Sequence, residues 1–535
     1  MFIYFLYDLD FFKTIKSSPT TSLKVLKDLF TFNSNDPHVD KNLWVWNGEL
    51  LLKTLEIVVS STVISFFVAL FTSYFSVPNL FNHRILVYIN RIFLLFLRSF
   101  PILIFLTMFL DVIASKMFAA FCVYFWFTWL WLHKYLMEII ENTNLRKYYL
   151  ARKLGKNQLI AFYQYVLLTN KNKYIMNLLL AIESNVRWSA ILGAAGVFGI
   201  GILFKEYETQ YQFLSISIFY IVLLIFSLEI ILFLITKYLF NPISIQDNSL
   251  NTPTSFKYNY KKYIKIALVI FLIAFCLYSL IEILTENNGQ LISWTAFNTF
   301  FNNFFKLDFS DVREHPQIYL VYWELFEQVY VALFLGILGA IFYSFWCASR
   351  LHNYYQTLLF KLFLSYLKAI PIIVFFAIFN PTFATKTALT LALAVGTFRG
   401  LTKQFTEHFN AINGKQIKLL QNKGWNILKI YLNYMLPKAL KQLQANSIFE
   451  FENTYRNAMN YSLFITSGIY SRINNIYLKN DEQGKIIPYF LPAIILFILI
   501  ELVHLGIKEQ WIDKIKLNFI KLKKQRKNLT IQAKK

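Results

Sequence analysis

The sequence contains few residues that could build a disulfide framework or a metal site. Of 535 residues, three are cysteines and seven are histidines. Cys122, Cys276 and Cys347 lie singly inside apolar runs without a CxxC spacing, and the histidines form no HExxH arrangement. Because such sites are identified in a sequence by paired spacings, we expect no disulfide framework, no metal site and no catalytic residues.

A phosphate-binding loop is also absent. The pattern GxxxxGK[ST], whose backbone cradles nucleotide phosphates, does not occur. Gly414 and Lys415 come closest, but Gln416 follows them and the upstream glycine is missing. We therefore expect no cofactor bound by this chain and no enzymatic activity of its own. If ATP drives its function, another chain hydrolyses the nucleotide.

Charged residues make up only 16% of the sequence, whereas 56% of residues are hydrophobic and 56 residues are Phe. Since about 20 helical residues cross about 30 Å of hydrocarbon, this composition predicts an all-α, multi-pass integral protein of the plasma membrane. The apolar runs predict eleven spans, five in the first half and six in the second. They lie near residues 57–76, 99–115, 117–133, 176–199, 213–236, 266–285, 325–347, 369–382, 384–398, 443–470 and 487–507.

Acidic residues are scarcer than basic ones, and the formal net charge is +23. Six short segments between or beyond the predicted spans hold 37 of the 53 Lys and Arg residues but only 6 of the 30 Asp and Glu residues. The positive-inside rule places all six in the cytoplasm, where anionic lipid headgroups attract them. We therefore expect membrane lipids, and no nucleic acid, to contact these cations. The segments are 77–98, 134–173, 237–265, 348–368, 399–441 and 508–535.

The two halves of the chain contain matching residues at a constant distance, and the matches fall on scarce residue types. Such internal repetition indicates an architecture built from two related units. Upstream of these matches, Arg98 and Pro101 correspond to Lys368 and Pro371 at an offset of 270. The matches at an offset of 269 are Glu138 with Glu407, Gly155 with Gly424, Tyr165 with Tyr434, Leu167 with Leu436, Glu183 with Glu452, Arg187 with Arg456, and Gly199 with Gly468.

Both large basic loops share one layout, in which two helical stretches flank a glycine. The sequences are YYLARKLGKNQLIAFYQYVLL (148–168) and KLLQNKGWNILKIYLNYMLP (418–437). This layout resembles the ATPase-coupling loop of ABC importer permeases: EAA, three residues, Gly, nine residues, Ile, one residue, Leu-Pro. The positions that match this pattern are Ala151, Gly155 and Leu167 in the first loop and Gly424, Leu436 and Pro437 in the second. The departures from it are Tyr149 and Lys418 at the glutamate position and Leu168 at the proline position.

A second resemblance is to permeases of the phosphonate-transport type. The segment ESNVRWSAILGAAGVFGIG (183–201) is similar to their E-x-N-x-R, L-G and glycine-rich run, and RSFPILIF (98–105) is similar to their Arg-Ser-Pro motif at the start of a span. The second half retains Glu452, Arg456, Gly468 and KAIPIIVF (368–375). The duplicated form resembles the fused permeases of small-genome bacteria.

These resemblances imply two tandem MetI-like transmembrane halves of about five and six helices. They also imply two copies of a cytoplasmic ABC ATPase, which uses ATP and Mg²⁺, and an extracytoplasmic substrate-binding protein of the lipoprotein kind. The implied substrate is a phosphonate, an organophosphate or a thiamine-phosphate-like solute. The expected domains are an extracytoplasmic segment 1–48, permease domains 49–240 and 263–508, a cytoplasmic linker 241–262 and a basic tail 509–535.

Several residues have both a structural and a functional interpretation. Glu183 with Arg187, and Glu452 with Arg456, stand four residues apart in the order that favours intrahelical ion pairs; alternatively, the arginines face the substrate path. Glycines of the glycine-rich segments either let helices approach closely or act as hinges. They are Gly193, Gly196, Gly199, Gly201 and Gly468.

Two other functions remain open from the sequence. A secondary transporter also contains repeats around a midplane site, although it has no reason to keep two basic loops with coupling-type glycines. A membrane-embedded lipid-modifying enzyme would show His, Asp or Ser clustered at one membrane face. Dependence of transport on ATP or on ion gradients separates these classes.

Overall fold

The structure is a computed structural model, and it describes residues 2–9, 11, 19–37, 41–78, 80, 84–207, 210–235, 255–462 and 468–508. The basic tail 509–535, most of the linker 241–262 and residues 463–467 of one predicted span lie outside the described residues. Every regular element of the described residues is a helix apart from one isolated bridge between Ile113 and Ile292. The all-α prediction is therefore confirmed for this part of the chain.

Two short helices, α1 and α2, precede a first series of helices, α3 to α11. Residues Leu43 to Tyr74 form the longest of them, which is 32 residues long. The bounds are α1 Phe2–Asp8, α2 Pro19–Asp28, α3 Leu43–Tyr74, α4 Arg84–Ser99, α5 Ile102–Val112, α6 Lys116–Glu141, α7 Arg146–Lys153, α8 Gln158–Phe162, α9 Lys171–Ala194, α10 Leu203–Glu206 and α11 Tyr211–Leu234.

Three further helices lead into a second series, α15 to α23, that resembles the first in order and length. The leading helices are α12 Ser255–Thr285, α13 Trp294–Phe304 and α14 Ser310–Glu314. The second series is α15 Leu320–Cys347, α16 Tyr354–Ala369, α17 Ile372–Phe379, α18 Thr385–Ala411, α19 Gly414–Asn422, α20 Ile427–Ile430, α21 Leu436–Tyr461, α22 Ile469–Arg472 and α23 Ile486–Lys508.

Helices lie at all eleven positions where spans were predicted, but fewer of them qualify as membrane spans. Among the described residues, five helices are long and apolar enough to cross a membrane, and up to seven spans result if each of two bent helix pairs counts as one. The four remaining helices, α6, α9, α18 and α21, are long enough but do not pass that test. They carry charges such as Lys134, Arg187, Arg399 and Arg456. A count of eleven spans is thus not confirmed, whereas a multi-pass membrane protein is.

Each series contains one pair of helices, called a broken span below, that bends sharply at a proline. Helices α4 and α5 meet at an angle of 79°, and α16 and α17 meet at 80°. Pro101 and Pro371 stand directly before the second helix of each pair. Since proline cannot donate a backbone hydrogen bond and disfavours helical backbone in the residue before it, both breaks follow directly from the sequence.

Small residues bring the central helices of each series close together. Helix α3 packs most extensively against α6, and α15 packs most extensively against α18. Ser65 of α3 donates a hydrogen bond to the carbonyl of Phe125 at 2.9 Å. A Cβ atom on Gly336 of α15 would lie 1.9 Å from Oγ1 of Thr397 on α18. Such contacts are typical of helix packing in lipid, where close backbone approach replaces the hydrophobic effect as the driving force.

Each series is preceded by a small group of helices, and the first helix of each group packs on the other series. Helix α12, which leads into the second series, contacts α3 of the first, where Lys53 forms ion pairs with Glu282 and, at 3.3 Å, with Glu56. Helix α1 contacts α15 of the second series, and Phe5 is buried there among Trp323, Phe326 and Tyr330. The predicted span 266–285, the first of the second half, therefore packs against the first half.

Four helices cross bounds that were predicted from the sequence. Helix α3 begins at Leu43, inside the predicted segment 1–48, and α12 begins at Ser255, inside the predicted linker 241–262. Helices α6 and α18 continue to Glu141 and Ala411, well past the predicted ends of their spans. The first residues assigned to two basic loops, Lys134 and Arg399, therefore lie within helices.

Candidate functional site

A cavity of about 470 Å³ lies between the two series of helices. Both series supply its walls, through α6 and α9 from the first, through α18 and α21 from the second, and through the broken spans of both. Six cationic side chains line it, against the two carboxylates of Glu450 and Glu452. The cations are Arg98, Lys134, Arg187, Lys368, Arg399 and Arg456.

On one side of the cavity, a carboxylate joins two arginines from different parts of the chain. Oε1 of Glu452 accepts hydrogen bonds from Nη2 of Arg98 and Nη2 of Arg456, each at 3.1 Å. Arg98 belongs to the first series, whereas Glu452 and Arg456 belong to the second. We call these three residues the bridged side.

The repeat-related residues on the other side make a different set of contacts. Arg187 pairs with Glu183 on the same helix, as Arg456 pairs with Glu452. Lys368, which corresponds to Arg98, makes no ion pair with Glu183 or with any other described carboxylate. Arg399 stands beside these residues and likewise has no carboxylate partner among the described residues. We call Arg187, Lys368 and Arg399 the open side.

Two arginines stabilise the broken spans from inside the cavity. Nη1 of Arg456 donates a hydrogen bond to the carbonyl of Arg98 at 2.8 Å. Nη1 of Arg399 donates to the carbonyls of Leu367 and Ile370 at 2.5 Å each. The last carbonyls of a helix lack intrahelical donors and carry the negative end of the helix dipole, so a guanidinium is a suitable partner at each break.

Aromatic side chains supply much of the remaining wall. Trp126, Trp131 and Trp188 line the cavity from α6 and α9, and Phe105 packs beside Trp126 with ring centroids 4.7 Å apart. Asn185 lies near the same wall and donates to Thr62 and Thr128 at 2.7 and 2.8 Å. The cavity therefore offers both cationic and flat apolar surfaces to a solute.

The two coupling-type loops end their first helix with the same backbone turn. In the first loop, Gly155 has φ +82°, its N–H donates to Arg152 at 3.1 Å, and the N–H of Lys156 donates to Ala151 at 3.1 Å. In the second loop, Gly424 has φ +78°, its N–H donates to Gln421 at 2.9 Å, and the N–H of Trp425 donates to Leu420 at 3.1 Å. This pair of bonds defines a Schellman motif, which favours glycine because its backbone is left-handed.

The other predicted loop residues take different positions. Ala151 is buried, Leu167 ends the π-helix Tyr163–Leu167, and Leu436 and Pro437 begin α21 directly after the π-helix Tyr431–Met435. Around these positions the loops expose several large apolar side chains. They are Leu150, Leu154, Leu159 and Tyr163 in the first loop and Leu419, Leu428 and Leu432 in the second.

The glycine-rich segment folds against the end of α9. A Cβ atom on Gly193 would lie 2.2 Å from the backbone carbon of Gly201, and one on Gly201 would lie 1.9 Å from the carbonyl oxygen of Ser189. Gly196 and Gly199 have φ +100° and +141°. Gly468, by contrast, has ordinary extended backbone at φ −81°. This geometry favours close packing for Gly193 and Gly201 over a hinge.

Sequence reasoning missed four of the six cavity cations as site residues. Arg98 and Lys368 were recognised only as repeat-related residues, and Lys134 and Arg399 were assigned to loops. One signal in the sequence could have identified these four cations. Each of them directly precedes or follows a predicted apolar run, so the helix formed by that run can extend to include it. Glu229, a single acidic residue within α11, accepts a hydrogen bond from Ser365 at 3.3 Å.

No metal site appears in the described part of the chain, where no three His, Cys, Asp or Glu residues lie close enough together to hold an ion. Cys122, Cys276 and Cys347 are free thiols. The chemical character of the cavity comes from the cationic and aromatic side chains that line it.

Comparison with known proteins identifies two similar chains. The ABC transport system permease protein p69 of Mycoplasma pneumoniae is 27% identical over 483 residues, which cover 88% of this chain and 86% of that protein. The protein of the same name from Mycoplasma genitalium is 26% identical over 432 residues, covering 78% of this chain and 77% of that one. No model of a known protein family matches the chain, and no solved structure matches it.

This similarity covers at least 77% of each chain, so the chain is a distant homologue of the p69 ABC transport system permease proteins of these two mycoplasmas. A permease is the membrane component of such a transporter. The prediction that the chain is not itself an ATPase is thereby confirmed.

Proposed function

We propose that this chain forms the substrate pathway of an ATP-driven importer for an organophosphorus anion. The excess of cations in the cavity is the observation that carries the choice of an anion, since six cationic side chains face two carboxylates there. Burying unbalanced charge within a membrane protein is costly and usually marks a functional site. The homology to permeases carries the choice of an ABC transporter.

The two helix series would be the two transmembrane halves that other importers assemble from separate subunits. The repeated order of helices and the bends of 79° and 80° at Pro101 and Pro371 support this arrangement. The cavity between the series would then lie on the pseudo-two-fold axis, where residues from both halves meet. A MetI-like, phosphonate-type origin of each half rests on the motifs at 98–105 and 183–201.

The two Schellman loops would be the docking sites of two cytoplasmic ATPase subunits. Each loop presents exposed apolar residues beside its glycine, such as Leu154, which is 82% exposed, and Leu419, which is 57% exposed. Exposed leucines on a basic loop are suited to a protein partner, because that surface otherwise faces water. The loops lie at the positions that resemble coupling loops, which supports the assignment.

Transport would proceed by alternating exposure of the cavity to the two sides of the membrane. ATP binding would draw the ATPases together and shift the population of helix arrangements, because the nucleotide-bound ATPases favour one arrangement over the other. An extracytoplasmic binding protein, expected to be a lipoprotein, would deliver the substrate. The chain itself would supply positioning and charge and carry out no chemical step.

The proposed substrates share a phosphoryl or phosphonyl group: phosphonates, organophosphates and thiamine-phosphate-like solutes. Guanidinium groups such as that of Arg187 bind these oxygens in two-point fashion. The tryptophans at 126, 131 and 188 would contact an organic part, most favourably a flat or cationic one.

Uptake into proteoliposomes tests this function. The chain is reconstituted with the ATPase and the binding protein that copurify with it, and uptake of radiolabelled methylphosphonate, thiamine monophosphate and acetate is measured with and without enclosed ATP. We expect ATP-dependent uptake of at least one phosphorus anion and none of acetate. Uptake that follows an imposed ion gradient without ATP would instead identify a secondary transporter.

A further inference from the structure

The two sides of the cavity differ in how their cations are neutralised. On the bridged side, Glu452 contacts both Arg98 and Arg456, so one carboxylate serves two cations. On the open side, Glu183 contacts Arg187 alone, and Lys368 has no ion pair with any carboxylate that the structure describes. The repeat places these residues in corresponding positions, but only one of the two sides is bridged.

Arg399 increases this difference. It belongs only to the open side, because the residue 269 positions earlier is Leu130. Arg399 is 6% exposed, and its Nε atom has no hydrogen-bond partner among the described residues. Nε of Arg187 is also buried without a partner. The open side therefore carries three cations, one adjacent carboxylate and two unused donors.

Arg187 repels the other two cations of the open side. Its charge acts unfavourably on Lys368 and on Arg399, and Glu183 and Glu229 offset part of the repulsion at Lys368. Like charges held together in a poorly hydrated space destabilise the protein unless an anion compensates them. On the bridged side Glu452 compensates both arginines, whereas its counterpart on the open side, Glu183, forms an ion pair with Arg187 alone.

We propose that the open side, formed by Arg187, Lys368 and Arg399, is the subsite for the oxyanion head of the substrate, which would compensate the cations that Glu183 does not pair with, whereas Glu452 holds both arginines of the bridged side. One substrate anion would then bind per cavity, asymmetrically, although the helices repeat. The excess of two positive charges matches a phosphate or phosphonate dianion better than a carboxylate or sulfonate monoanion. This inference rests on the proposed function.

Matched substitutions at repeat-related positions test the inference. Lys368→Gln removes an open-side cation, Arg98→Gln removes its bridged-side counterpart, and Lys368→Arg retains the charge. Binding of methylphosphonate and of methanesulfonate to the full chain in nanodiscs is measured by calorimetry. The thermal unfolding midpoint of each variant shows whether the protein remains folded.

We expect Lys368→Gln to weaken methylphosphonate binding about tenfold, corresponding to about 1.4 kcal/mol, and Lys368→Arg to restore most of it. We expect Arg98→Gln to lower the unfolding midpoint while changing affinity less than threefold. Methanesulfonate should bind more weakly than methylphosphonate. Equal losses of affinity for Lys368→Gln and Arg98→Gln, or no loss for Lys368→Gln, would overturn the asymmetric subsite and leave the transport function standing.

Arg399→Lys provides a second variant. It keeps the positive charge but replaces the planar guanidinium and its paired N–H donors by an ammonium group. If the open side binds the anion, this variant should weaken methylphosphonate binding and leave the salt dependence of binding unchanged. Absence of binding of any phosphorus anion to the unaltered chain would overturn both the subsite and the proposed substrate class, and it is distinguishable from the outcome above.

Discussion

The charged side chains that line the cavity give it an excess of positive charge, and they differ in how many ion pairs they form. Glu452 is 4% exposed and holds two arginines. Removing one member of a buried charge set leaves the others uncompensated, which typically costs more than removing an oppositely charged pair together. The contrast between single and paired substitutions therefore separates structural from substrate-binding roles.

At Glu452, the structure predicts a mainly structural effect. Glu452→Gln should destabilise the protein by about 3 kcal/mol, because Arg98 and Arg456 then lack a carboxylate. The double variant Glu452→Gln, Arg456→Gln should be less destabilised than the single one. Unfolding in detergent measures both, and a double variant no more stable than the single would contradict the assignment.

At Arg187, a transport role and a structural role give opposite results. Arg187→Gln should impair uptake even when Glu183→Gln accompanies it, because the substrate loses a guanidinium in either case. Protein abundance is measured beside uptake so that misfolding is not mistaken for lost recognition. Full rescue of uptake in the double variant would remove Arg187 from the substrate path.

Gly193 provides a test of backbone packing. Gly193→Ala would place a Cβ atom 2.2 Å from the backbone of Gly201, which cannot move away as a flexible side chain can. We expect a loss of folded protein in the membrane and a lower unfolding midpoint. Gly48→Ala is the matched control, since its Cβ atom would lie 3.7 Å from the Tyr220 hydroxyl in ordinary contact. A hinge role for Gly193 would instead impair transport without affecting stability.

Asp311 and Arg472 form an ion pair outside the predicted spans, and the direction in which its contribution to stability changes with pH can be derived. Burial acts to raise the pKa of Asp311, but hydrogen bonds from Tyr477 and Arg472 and the charge of Arg472 outweigh it and hold the pKa below its ordinary value of 3.8. The stabilisation is therefore complete above about pH 4 and is lost as the pH falls through the lowered pKa.

Comparison with Asp311→Asn isolates this contribution. The unaltered chain should be more stable than Asp311→Asn at pH 6, and the difference should shrink as the pH falls below 3.8, the ordinary pKa of the carboxyl. Unfolding midpoints in detergent across this range provide the measurement. A stability difference that is constant with pH would show that the Asp311 contacts do not depend on its charge.

Among the elements, the two coupling-type loops are where the sequence pattern and the structure agree most closely. The repeat predicted a glycine at the same place in both loops, and the structure gives each glycine a left-handed backbone inside a Schellman turn. No atom lies within 4 Å of a Cβ built on Gly155 or Gly424. A substitution there would therefore act through backbone conformation and not through a steric clash.

This distinction gives a controlled test of docking. Gly155→Val and Gly424→Val should strain the turn by about 1 kcal/mol or more and reduce association with the ATPase, whereas Asn, which tolerates left-handed backbone, should be nearly neutral. Copurification of the ATPase measures the effect at equal permease abundance. Normal ATPase binding by the double Val variant would exclude these loops as docking sites.

The broken spans show what sequence could and could not predict among the elements. The motifs around Pro101 and Pro371 marked the start of two apolar runs, but the bends of about 80° depend on how α4 and α16 pack. Hydropathy also ended α6 and α18 too early, because it treats Lys134 and Arg399 as loop residues. These side chains are accommodated inside helices since they face a cavity, which depends on tertiary contacts that periodicity cannot reveal.

For the whole molecule, composition and repetition were sufficient to predict an all-α, multi-pass membrane protein. The packing of α1 on α15 and of α12 on α3 was not predictable, because it depends on which half each leading helix contacts. The asymmetry between Arg98 and Lys368 was likewise hidden, since the sequence shows both as basic residues at matching positions. Charge types can be read from a sequence, but ion-pair partners come from the fold.

The orientation of the chain in the membrane is predicted from the positions of its basic segments. With the six basic segments inside, cysteines introduced at Asn157 and Asn422 should react with an impermeant thiol reagent only in opened membranes, whereas a cysteine near Asp311 should react in intact cells. The background from Cys122, Cys276 and Cys347 is controlled by labelling the unaltered chain. Labelling of both coupling-type loops from outside would reverse the orientation.

The most direct test of the account is the energy source of transport. In cells that make the chain at normal levels, uptake of a labelled phosphorus anion is followed after ATP depletion and, separately, after collapse of ion gradients at constant ATP. The account predicts that ATP depletion abolishes uptake and that collapse of the gradients leaves it unchanged. Uptake that survives ATP depletion but ends when the gradients collapse would contradict it.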